Sequence, residues 1–393
     1  MNLLKLILLP LWYISSGLPR KKNSWVFGSN TGSSYADNSR YFFEYINRYH
    51  PEITAIWITR SKAIYEKLKS DGCQVEYGDS WKGKWACLRA SKGFTTHGKL
   101  DLCNEFSNGM TLFNLWHGMP LKTIGHIPPK SWLKRCYYRL WYPQKWDHFF
   151  VTSEKFQKVM EDYYINSYRP IKKVTLMGQP RFDQFERPGA EKLVQGYKNK
   201  FGEDVRFVLY CPTYREQNEF AGYAKHGAIN LFDDYDYQGD EMQANMEGLN
   251  AVFLVKMHPM ASDKIQIGAA HDRIHLVQDN EIDDLYFLLK DMDMLLSDYS
   301  SILFDYLILN KPIVHTVFDL DQYREIRSFN FDYEDIISGP IVDNWKETIV
   351  AIKSGLTTDN FTSQREQVNS SINSFQKPKG YNEALYQFCN AIR

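Results

Sequence analysis

The sequence lacks several features that would assign a protein to a class at once. Acidic and basic residues balance at 47 each, so no net charge favours nucleic acid as a partner. The six cysteines are scattered without a Cys-x-x-Cys pair or a metal-binding spacing, which favours a reducing, cytosolic environment. The absence of a Gly-x-x-x-x-Gly-Lys-Ser/Thr segment excludes a P-loop NTPase. We therefore expect neither a metal nor another cofactor.

Long apolar runs are also missing. The longest apolar segment lies within residues 1–18, is interrupted by Pro10, and falls short of the ~20 residues that a spanning helix needs. Basic residues follow it at 20–22, whereas a signal peptide carries its basic residues in front. We predict that residues 1–22 form a helix in the membrane interface; a packed N-terminal helix is the alternative.

A second segment, residues 130–146, mixes basic and aromatic residues and contains no acidic residue. This composition predicts a helix at an anionic lipid surface, and an ordinary amphipathic helix over a core is the alternative. Nucleic acid would suit the composition as well, but nothing else in the chain supports it.

The rest of the chain alternates short apolar strands with amphipathic helices, joined by short connections. This rhythm predicts an α/β fold with parallel, doubly wound sheets, and the length favours two domains. We place the boundary in the charged stretch after residue 185, which gives domains 23–190 and 191–393. Residues 354–379 are polar and predict a loop, and residues 381–392 predict a closing helix.

Polar residues follow the predicted strands in both halves of the chain. In a doubly wound sheet the carboxyl ends of the strands form the ligand crevice, so this repetition predicts one cleft between two domains. The strand-end residues are His97, His117, Thr213, Arg215, His258, Ser300, Ser301 and Asp319.

Two histidines and two arginines of this kind suggest chemistry. His117, followed by glycine, has an ordinary pKa of ~6.5 that suits a general base; a structural histidine is the alternative. Pro259 keeps His258 out of a regular helix, so that its ring would hydrogen-bond a leaving-group phosphate. Arg181 and Arg215 match phosphate oxygens bidentately, and a surface or interdomain ion pair is the alternative for each.

The stretch 297–306 places two serines between a buried strand and a helix. A helix N-terminus offers unpaired N–H groups and a positive dipole end, which favour a phosphate. Ser300 and Ser301 would add hydroxyl donors there. The alternative is that Ser300 only caps the helix.

Taken together, these motifs resemble the CDP-glycerol glycerophosphotransferase family, the teichoic acid primases and polymerases of Gram-positive walls and some capsules. The ordered set is specific although each piece is weak. The matching pieces are Trp116-His117-Gly118, Gly178-Gln-Pro-Arg181-Phe-Asp183, Pro212-Thr213-Tyr214-Arg215, Lys256-Met-His258-Pro259, residues 297–306, Lys311-Pro312, Asp319 with Tyr323, and Gly339-Pro340.

The resemblance implies a GT-B-like fold on the cytoplasmic face of the membrane, with an acceptor domain followed by a CDP-polyol domain. It implies transfer of glycerol phosphate from CDP-glycerol to a lipid-linked glycan or polyol-phosphate acceptor, releasing CMP. His117 would be the base, His258 would stabilise the pyrophosphate, and Asp305 would orient the donor. The residues holding phosphates would be Thr213, Arg215, Ser300 and Ser301.

Three alternatives stay open at this point. CDP-ribitol is a possible donor because related enzymes share the motifs. A nucleotide-sugar glycosyltransferase of the same fold would release a nucleoside diphosphate instead of CMP. A catalytically silent membrane adaptor in wall assembly would bind CDP-glycerol without turnover.

Overall fold

A computed structural model of the chain describes residues 13–123, 146–165, 173–213, 215, 230–257, 271–282, 284–375 and 379–392. These residues form two compact α/β units. Unit 1 holds the described residues of Met1–Met119, Gly125–Asp183 and Ser374–Arg393. Unit 2 holds those of Pro120–Ile124 and Gln184–Asn373. The α/β class and the two parallel sheets predicted from the alternating pattern are confirmed.

Unit 1 is built on a parallel sheet with the strand order β3-β2-β1-β4-β5-β6-β7. Its strands are β1 (Lys21–Phe27), β2 (Thr54–Thr59), β3 (Val75–Tyr77), β4 (Ala90–Thr95), β5 (Thr111–Asn114), β6 (His148–Val151) and β7 (Val174–Leu176). Its first helices are α1 (Asp37–Tyr49), α2 (Lys62–Ser70), α3 (Trp81–Arg89) and α4 (Glu154–Ile165). The strand order reverses between β1 and β4, which is the switch point where such a sheet opens a crevice.

Unit 2 repeats this plan with a parallel sheet in the order β10-β9-β8-β11-β12-β13. Its strands are β8 (Arg206–Cys211), β9 (Ala251–Val255), β10 (Ile274–Leu276), β11 (Met294–Ser297), β12 (Ile313–Thr316) and β13 (Ile341–Val342). Its helices are α5 (Lys192–Phe201), α6 (Gly239–Gly248), α7 (Leu285–Leu289), α8 (Ile302–Tyr306), α9 (Leu320–Ile326), α10 (Trp345–Thr357) and α11 (Thr362–Ile372). The switch point here lies between β8 and β11.

The core of each unit contains packed aromatic rings along its buried strands. In unit 1, stacked rings cross neighbouring strands, with Phe27 4.8 Å from Phe94 and Phe94 5.0 Å from Phe113 between ring centroids. In unit 2 the interior strand β9 is buried along its whole length, and its Phe253 contacts the rings of Tyr210 and Trp345. Continuous burial of this kind is typical of parallel strands covered on both faces.

The closing helix α12 (Tyr381–Ala391) lies in unit 1, whereas the sequence led us to expect residues 191–393 in one C-terminal domain. The Asp183 carboxylate accepts the N–H groups of Tyr381 at 2.8 Å and Asn382 at 2.9 Å, which caps the helix N-terminus. Leu385 and Cys389 are fully buried in the aromatic core of unit 1. This cap and this burial explain why the end of the chain belongs to unit 1.

The two expected membrane-interface segments fall partly outside the described residues, which include neither 1–12 nor 124–145. The expected helix over 1–22 is wrong at its end, since Lys21 and Lys22 begin the strand β1. For Trp146, the last residue of the second segment, the prediction of a helix at a lipid surface is wrong. Trp146 lies two residues before the interior strand β6, is 1% exposed, and its Nε1 donates to Thr95 Oγ1 at 3.2 Å, so it belongs to the core of unit 1. Within the described ranges, no helix has both the length and the apolar character needed to cross a membrane.

Candidate functional site

Residues at the carboxyl ends of the strands form a polar site in each unit, and each site lies at its sheet's switch point. In unit 1, Ser29 follows β1 and His97 follows β4, with His117 after the next strand, β5. In unit 2, Thr213 follows β8 and Asp298 follows β11. Ligands of doubly wound sheets bind at the carboxyl ends of the strands, next to the switch point, so a binding site is expected in each unit.

His117 stands on a strained turn after β5. Trp116, the residue before it, has φ 56°, a left-handed conformation that costs a bulky residue roughly 1–3 kcal/mol. Two side chains hold that turn: Asn114 Oδ1 accepts the Trp116 N–H at 2.8 Å, and Asn38 Nδ2 donates to the Trp116 carbonyl at 2.9 Å. The turn therefore fixes where the His117 ring projects.

The His117 ring is stacked on His97, with centroids 4.1 Å apart and planes 1° from parallel. Its Nδ1 lies 3.3 Å from the Thr96 carbonyl oxygen. A carbonyl only accepts, so this contact assigns the proton of the neutral ring to Nδ1 and leaves the lone pair on Nε2. Nε2 is the atom that can take a proton from a substrate.

The surroundings favour the neutral form of His117. Burial of the ring in the crowded turn lowers its pKa below the ordinary histidine value, and the neighbouring His97 and Arg181 act in the same direction. The residue nevertheless keeps an exposed surface. An accessible imidazole that is neutral at pH 7 is suited to general-base chemistry.

A chain of hydrogen bonds runs behind His97 at the switch point. His97 Nδ1 is 2.9 Å from Thr96 Oγ1, which is 2.9 Å from Ser29 Oγ. Ser29 Oγ in turn lies 3.5 Å from Asp37 Oδ2, and burial raises the pKa of that carboxyl. His97 was predicted as a site residue because it follows a strand. Asp37 was missed because it begins the helix α1 and does not follow a strand.

Arg181 is fully buried beside this turn rather than exposed at the edge. Its Nη1 donates to the His117 carbonyl at 2.8 Å, and its backbone N–H donates to Asn38 Oδ1 at 3.2 Å. Arg181, which we expected to bind a phosphate, thus holds the backbone of the His117 turn by hydrogen bonds. Its charge also contributes to the lowered pKa of His117.

Arg215 of unit 2 is likewise engaged within the protein. Its Nε and Nη2 donate to the two Asp319 oxygens, each at 2.8 Å, and Nη1 lies 2.9 Å from Asp298 Oδ2. Tyr299 and Tyr323, stacked 3.8 Å apart, lie 5.1 and 5.2 Å from the guanidinium carbon. These ion pairs are buried within unit 2, whereas the alternative to phosphate binding was a surface or interdomain ion pair.

Asp298 links the two strands at the switch point of unit 2. Its Oδ1 accepts the N–H groups of Thr213 at 2.8 Å and Tyr299 at 2.6 Å. The Thr213 hydroxyl oxygen is buried and finds no hydrogen-bond partner among the described residues. The hydroxyl of Thr213 is therefore available to donate a hydrogen bond to a phosphate, and this role of Thr213 stays a prediction. Asp298 itself was missed as a site residue.

His315 supports Asp298 from β12. Ser338 N–H donates to His315 Nε2 at 3.0 Å, so Nδ1 carries the proton and donates to the Tyr333 hydroxyl at 2.9 Å. The Tyr333 hydroxyl donates to the Asp298 carbonyl at 2.9 Å. Burial lowers the pKa of His315 to about 4, which keeps the ring neutral in this chain.

The two serines of the strand-to-helix stretch differ in their contacts. Ser300 Oγ accepts the Ile302 N–H at 3.5 Å, a weak cap, whereas the Ser301 side chain makes no capping bond. The helix that follows, α8, has only five residues. Asp305 is buried within it and accepts a hydrogen bond from the Tyr286 hydroxyl at 2.9 Å. His258 lies outside the described residues.

Comparison with known proteins gives three kinds of match. The family model for CDP-glycerol:poly(glycerophosphate) glycerophosphotransferase matches residues 11–383. The teichoic acid poly(glycerol phosphate) polymerase of Bacillus spizizenii is 26% identical over 375 residues, covering 89% of each chain. A solved structure of a histidine variant of the wall teichoic acid polymerase TagF matches with a TM-score of 0.72 at 19% identity, covering 99% of this chain and 93% of that one.

The lengths of the relatives vary. The chain spans 45% of the poly(glycerol phosphate) polymerase of Bacillus subtilis, to which it is 25% identical over 353 residues. It spans 85% of the teichoic acid glycerol-phosphate transferase of Staphylococcus aureus, at 27% identity over 352 residues. The fold is that of TagF, and the motif resemblance is confirmed. The family model covers nearly the whole chain, and the protein belongs to the CDP-glycerol:poly(glycerophosphate) glycerophosphotransferase family.

Proposed function

We propose that the protein transfers glycerol phosphate from CDP-glycerol to a hydroxyl of a teichoic acid intermediate and releases CMP. The observation that carries the proposal is the neutral, accessible His117 at the switch point of unit 1, in a chain of this family. Relatives named as poly(glycerol phosphate) polymerases and a TagF structure soaked with CDPG support the choice of donor.

The reaction needs a base and a means of stabilising charge. His117 Nε2 removes the proton of the acceptor hydroxyl while the oxygen attacks the phosphorus that bears glycerol. A new P–O bond forms, the bond to the CMP oxygen breaks, and the pair of electrons leaves with CMP. The protein thus acts mainly by positioning reactants and neutralising charge.

The remaining site residues divide into those that contact the donor and those that position others. We assign phosphate binding to Thr213, Ser300 and Ser301. His258 stabilises the pyrophosphate of the donor while CMP leaves. Arg215, Arg181 and Asp305 act through their neighbours: Arg215 fixes Asp298 and Asp319, and Arg181 grips the His117 turn. In this assignment unit 1 takes the acceptor and unit 2 takes the CDP-polyol.

The acceptor is a lipid-linked glycan or polyol phosphate, and the protein works as a peripheral protein at the cytoplasmic face of an anionic membrane. The teichoic acid intermediates handled by the named relatives support this assignment. The apolar and basic composition of residues 1–22 and 130–146 supports it from the sequence.

The test is the substitution His117→Ala. CDP-glycerol binding should persist, whereas turnover should fall at least ~100-fold, the range of a lost general base. Release of CMP and mass spectrometry of the lipid product measure turnover. His275→Ala, which removes a unit 2 histidine paired with Glu281, serves as the matched control and should keep activity. Turnover of His117→Ala near the wild-type rate would remove the assignment of the base.

CDP-ribitol is the second candidate donor. The poly(ribitol-phosphate) polymerase of Bacillus spizizenii is 29% identical to this chain over 279 residues, covering 67% of it. Parallel incubations with CDP-glycerol and CDP-ribitol, each with the same acceptor, decide between the two by the mass added to the product. A nucleoside diphosphate product would instead indicate glycosyl transfer.

A further inference from the structure

Helix α3 of unit 1 leaves two tryptophans on the protein surface. Trp81 is 68% exposed and Trp85 is 50% exposed, and their ring centroids lie 6.3 Å apart. They are four residues apart and so share one face of the helix. The opposite face already fills the core with Gly83, Ala86 and Cys87. The tryptophan face is therefore additional to what folding requires.

Basic side chains surround this tryptophan pair. Lys82, Lys84 and Arg89 belong to the same helix, which contains no acidic residue, and the Arg89 guanidinium carbon lies 5.9 Å from the Trp85 ring. The helix borders a cavity of about 710 Å³ around the edge strand β3. The charged residues lining this cavity are Lys21, Lys69, Lys82, Arg89 and Glu76. Four basic groups against one acidic group make the face attractive to anions.

The face continues into the described part of the N-terminal segment. Arg20 Nη1 donates to the carbonyl oxygens of Cys87 at 2.7 Å and Ala90 at 3.2 Å, which fastens residues 13–20 to the C-terminal end of α3. Tyr13, Ile14 and Leu18 of this segment are exposed apolar side chains. Residues 13–20 thus add exposed apolar side chains to the part of unit 1 that holds α3.

We propose that this face, formed by α3 with the basic residues of the cavity and residues 13–20, docks on an anionic lipid surface. Tryptophan is enriched where an apolar phase meets water, because its ring is apolar and its N–H remains wet. Lysine and arginine near an anionic bilayer each add attraction. An isologous contact with a second copy is disfavoured, since it would bring the two basic faces together.

Lipid binding does not require turnover, so this proposal stands or falls separately from the transferase activity. The experiment uses the full chain and sedimentation with phosphatidylcholine vesicles, with and without phosphatidylglycerol. The wild type should bind only the anionic vesicles and should lose binding as salt rises. Trp81→Ala/Trp85→Ala should weaken binding roughly tenfold or more. Lys82→Gln/Arg89→Gln should weaken it by about fivefold for each charge removed.

Two variants make the result specific. Trp81→Phe/Trp85→Phe keeps aromatic rings and should retain more binding than the alanine pair, which also guards against a simple folding defect. Val350→Ala/Lys353→Gln, on the exposed face of α10 in unit 2, removes one apolar and one basic group and should leave binding unchanged. Inorganic phosphate at matched ionic strength should not release the vesicles.

Three outcomes would overturn the proposal. The first is equal binding to anionic vesicles by the wild type and by Trp81→Ala/Trp85→Ala. The second is equal binding of the wild type to vesicles without phosphatidylglycerol. The third is a lipid-free dimer that light scattering detects in the wild type and not in the alanine pair, because the face would then be a protein interface.

Discussion

At the scale of the residue, His117 is the proposed base, and its surroundings set its pKa. Burial, His97 and Arg181 all lower that pKa, so the ring should stay neutral well below pH ~6.5. The value of kcat/KM for glycerol-phosphate transfer should therefore remain level from about pH 8 to below about pH 6.5, and its acid limb should lie lower. A pH–rate profile of the wild-type enzyme measures this.

His97 offers a way to shift that limb. His97→Phe keeps a ring stacked on His117 but removes the group whose charge lowers the pKa of His117. The acid limb should then move to higher pH, whereas a change in folding alone would lower activity without moving the limb. A wild-type limb near pH ~6.5, or an unmoved limb in His97→Phe, would contradict the proposed coupling.

His315 makes a separate prediction about stability. Its folded-state pKa of about 4 lies below the ordinary 6.5, so the unfolded chain binds the proton more readily than the native protein. Its contribution is fully present above about pH 6.5 and is lost as pH falls towards about 4, by up to about 3 kcal/mol. Urea unfolding of unit 2 across this range should show that loss. His315→Asn should flatten the dependence, and an equally steep dependence in the variant would contradict the assignment.

The sequence identified some site residues and missed others for a definite reason. His117 and Thr213 follow apolar strands, and that local pattern predicts their place at the sheet edge. The partners of Arg215 could not be found in this way, because Asp298 and Asp319 lie 83 and 104 residues further along the chain. Only the pairing of β8 with β11 and of β11 with β12 brings them together.

At the scale of the element, helix α11 shows where a hydrophobic pattern fails. Residues 354–379 were predicted as a loop, yet they include the end of α10 and the helix Thr362–Ile372. Its buried face consists of Arg365, Val368 and Ile372, so one of its core positions is a charged residue. Arg365 is buried because it is paired with Asp359 and donates to the Asn310 carbonyl. A pattern based on apolar residues alone could not recognise this helix.

The cap of α12 is testable by changing one atom. Asp183→Asn replaces the carboxylate whose two oxygens accept the first two N–H groups of the helix. The free energy of unfolding should fall by about 1–2 kcal/mol. Amide hydrogen exchange should become faster in Tyr381–Ala391. Asp321→Asn, at an exposed position in α9, is the matched control and should leave that exchange unchanged. Unchanged protection of α12 in Asp183→Asn would show that the cap contributes little.

At the scale of the whole molecule, the alternation of strands and helices was sufficient to predict two parallel sheets. It was not sufficient to assign every segment to its unit, because the return of the chain to unit 1 is a long-range event. Asp183 and Asn382 meet across 199 residues of sequence, and no local pattern reports such a contact. The burial of Leu385 in an aromatic core that includes Trp25 and Phe42 could likewise be learned only from the structure.

This return of the chain predicts that the last residues stabilise the first. Ending the chain at Asn373 should expose the core around Trp25 and Phe42, and amide exchange should become faster in β1 and α1. Protection in β8 and β11 of unit 2 should change little, since the deleted residues belong to unit 1. If the shortened chain does not fold, Leu385→Ala tests the same contact at a cost of about 2–5 kcal/mol, with the exposed Gln387→Ala as control. Faster exchange in unit 2 with unit 1 unaffected would reverse the assignment of the closing helix.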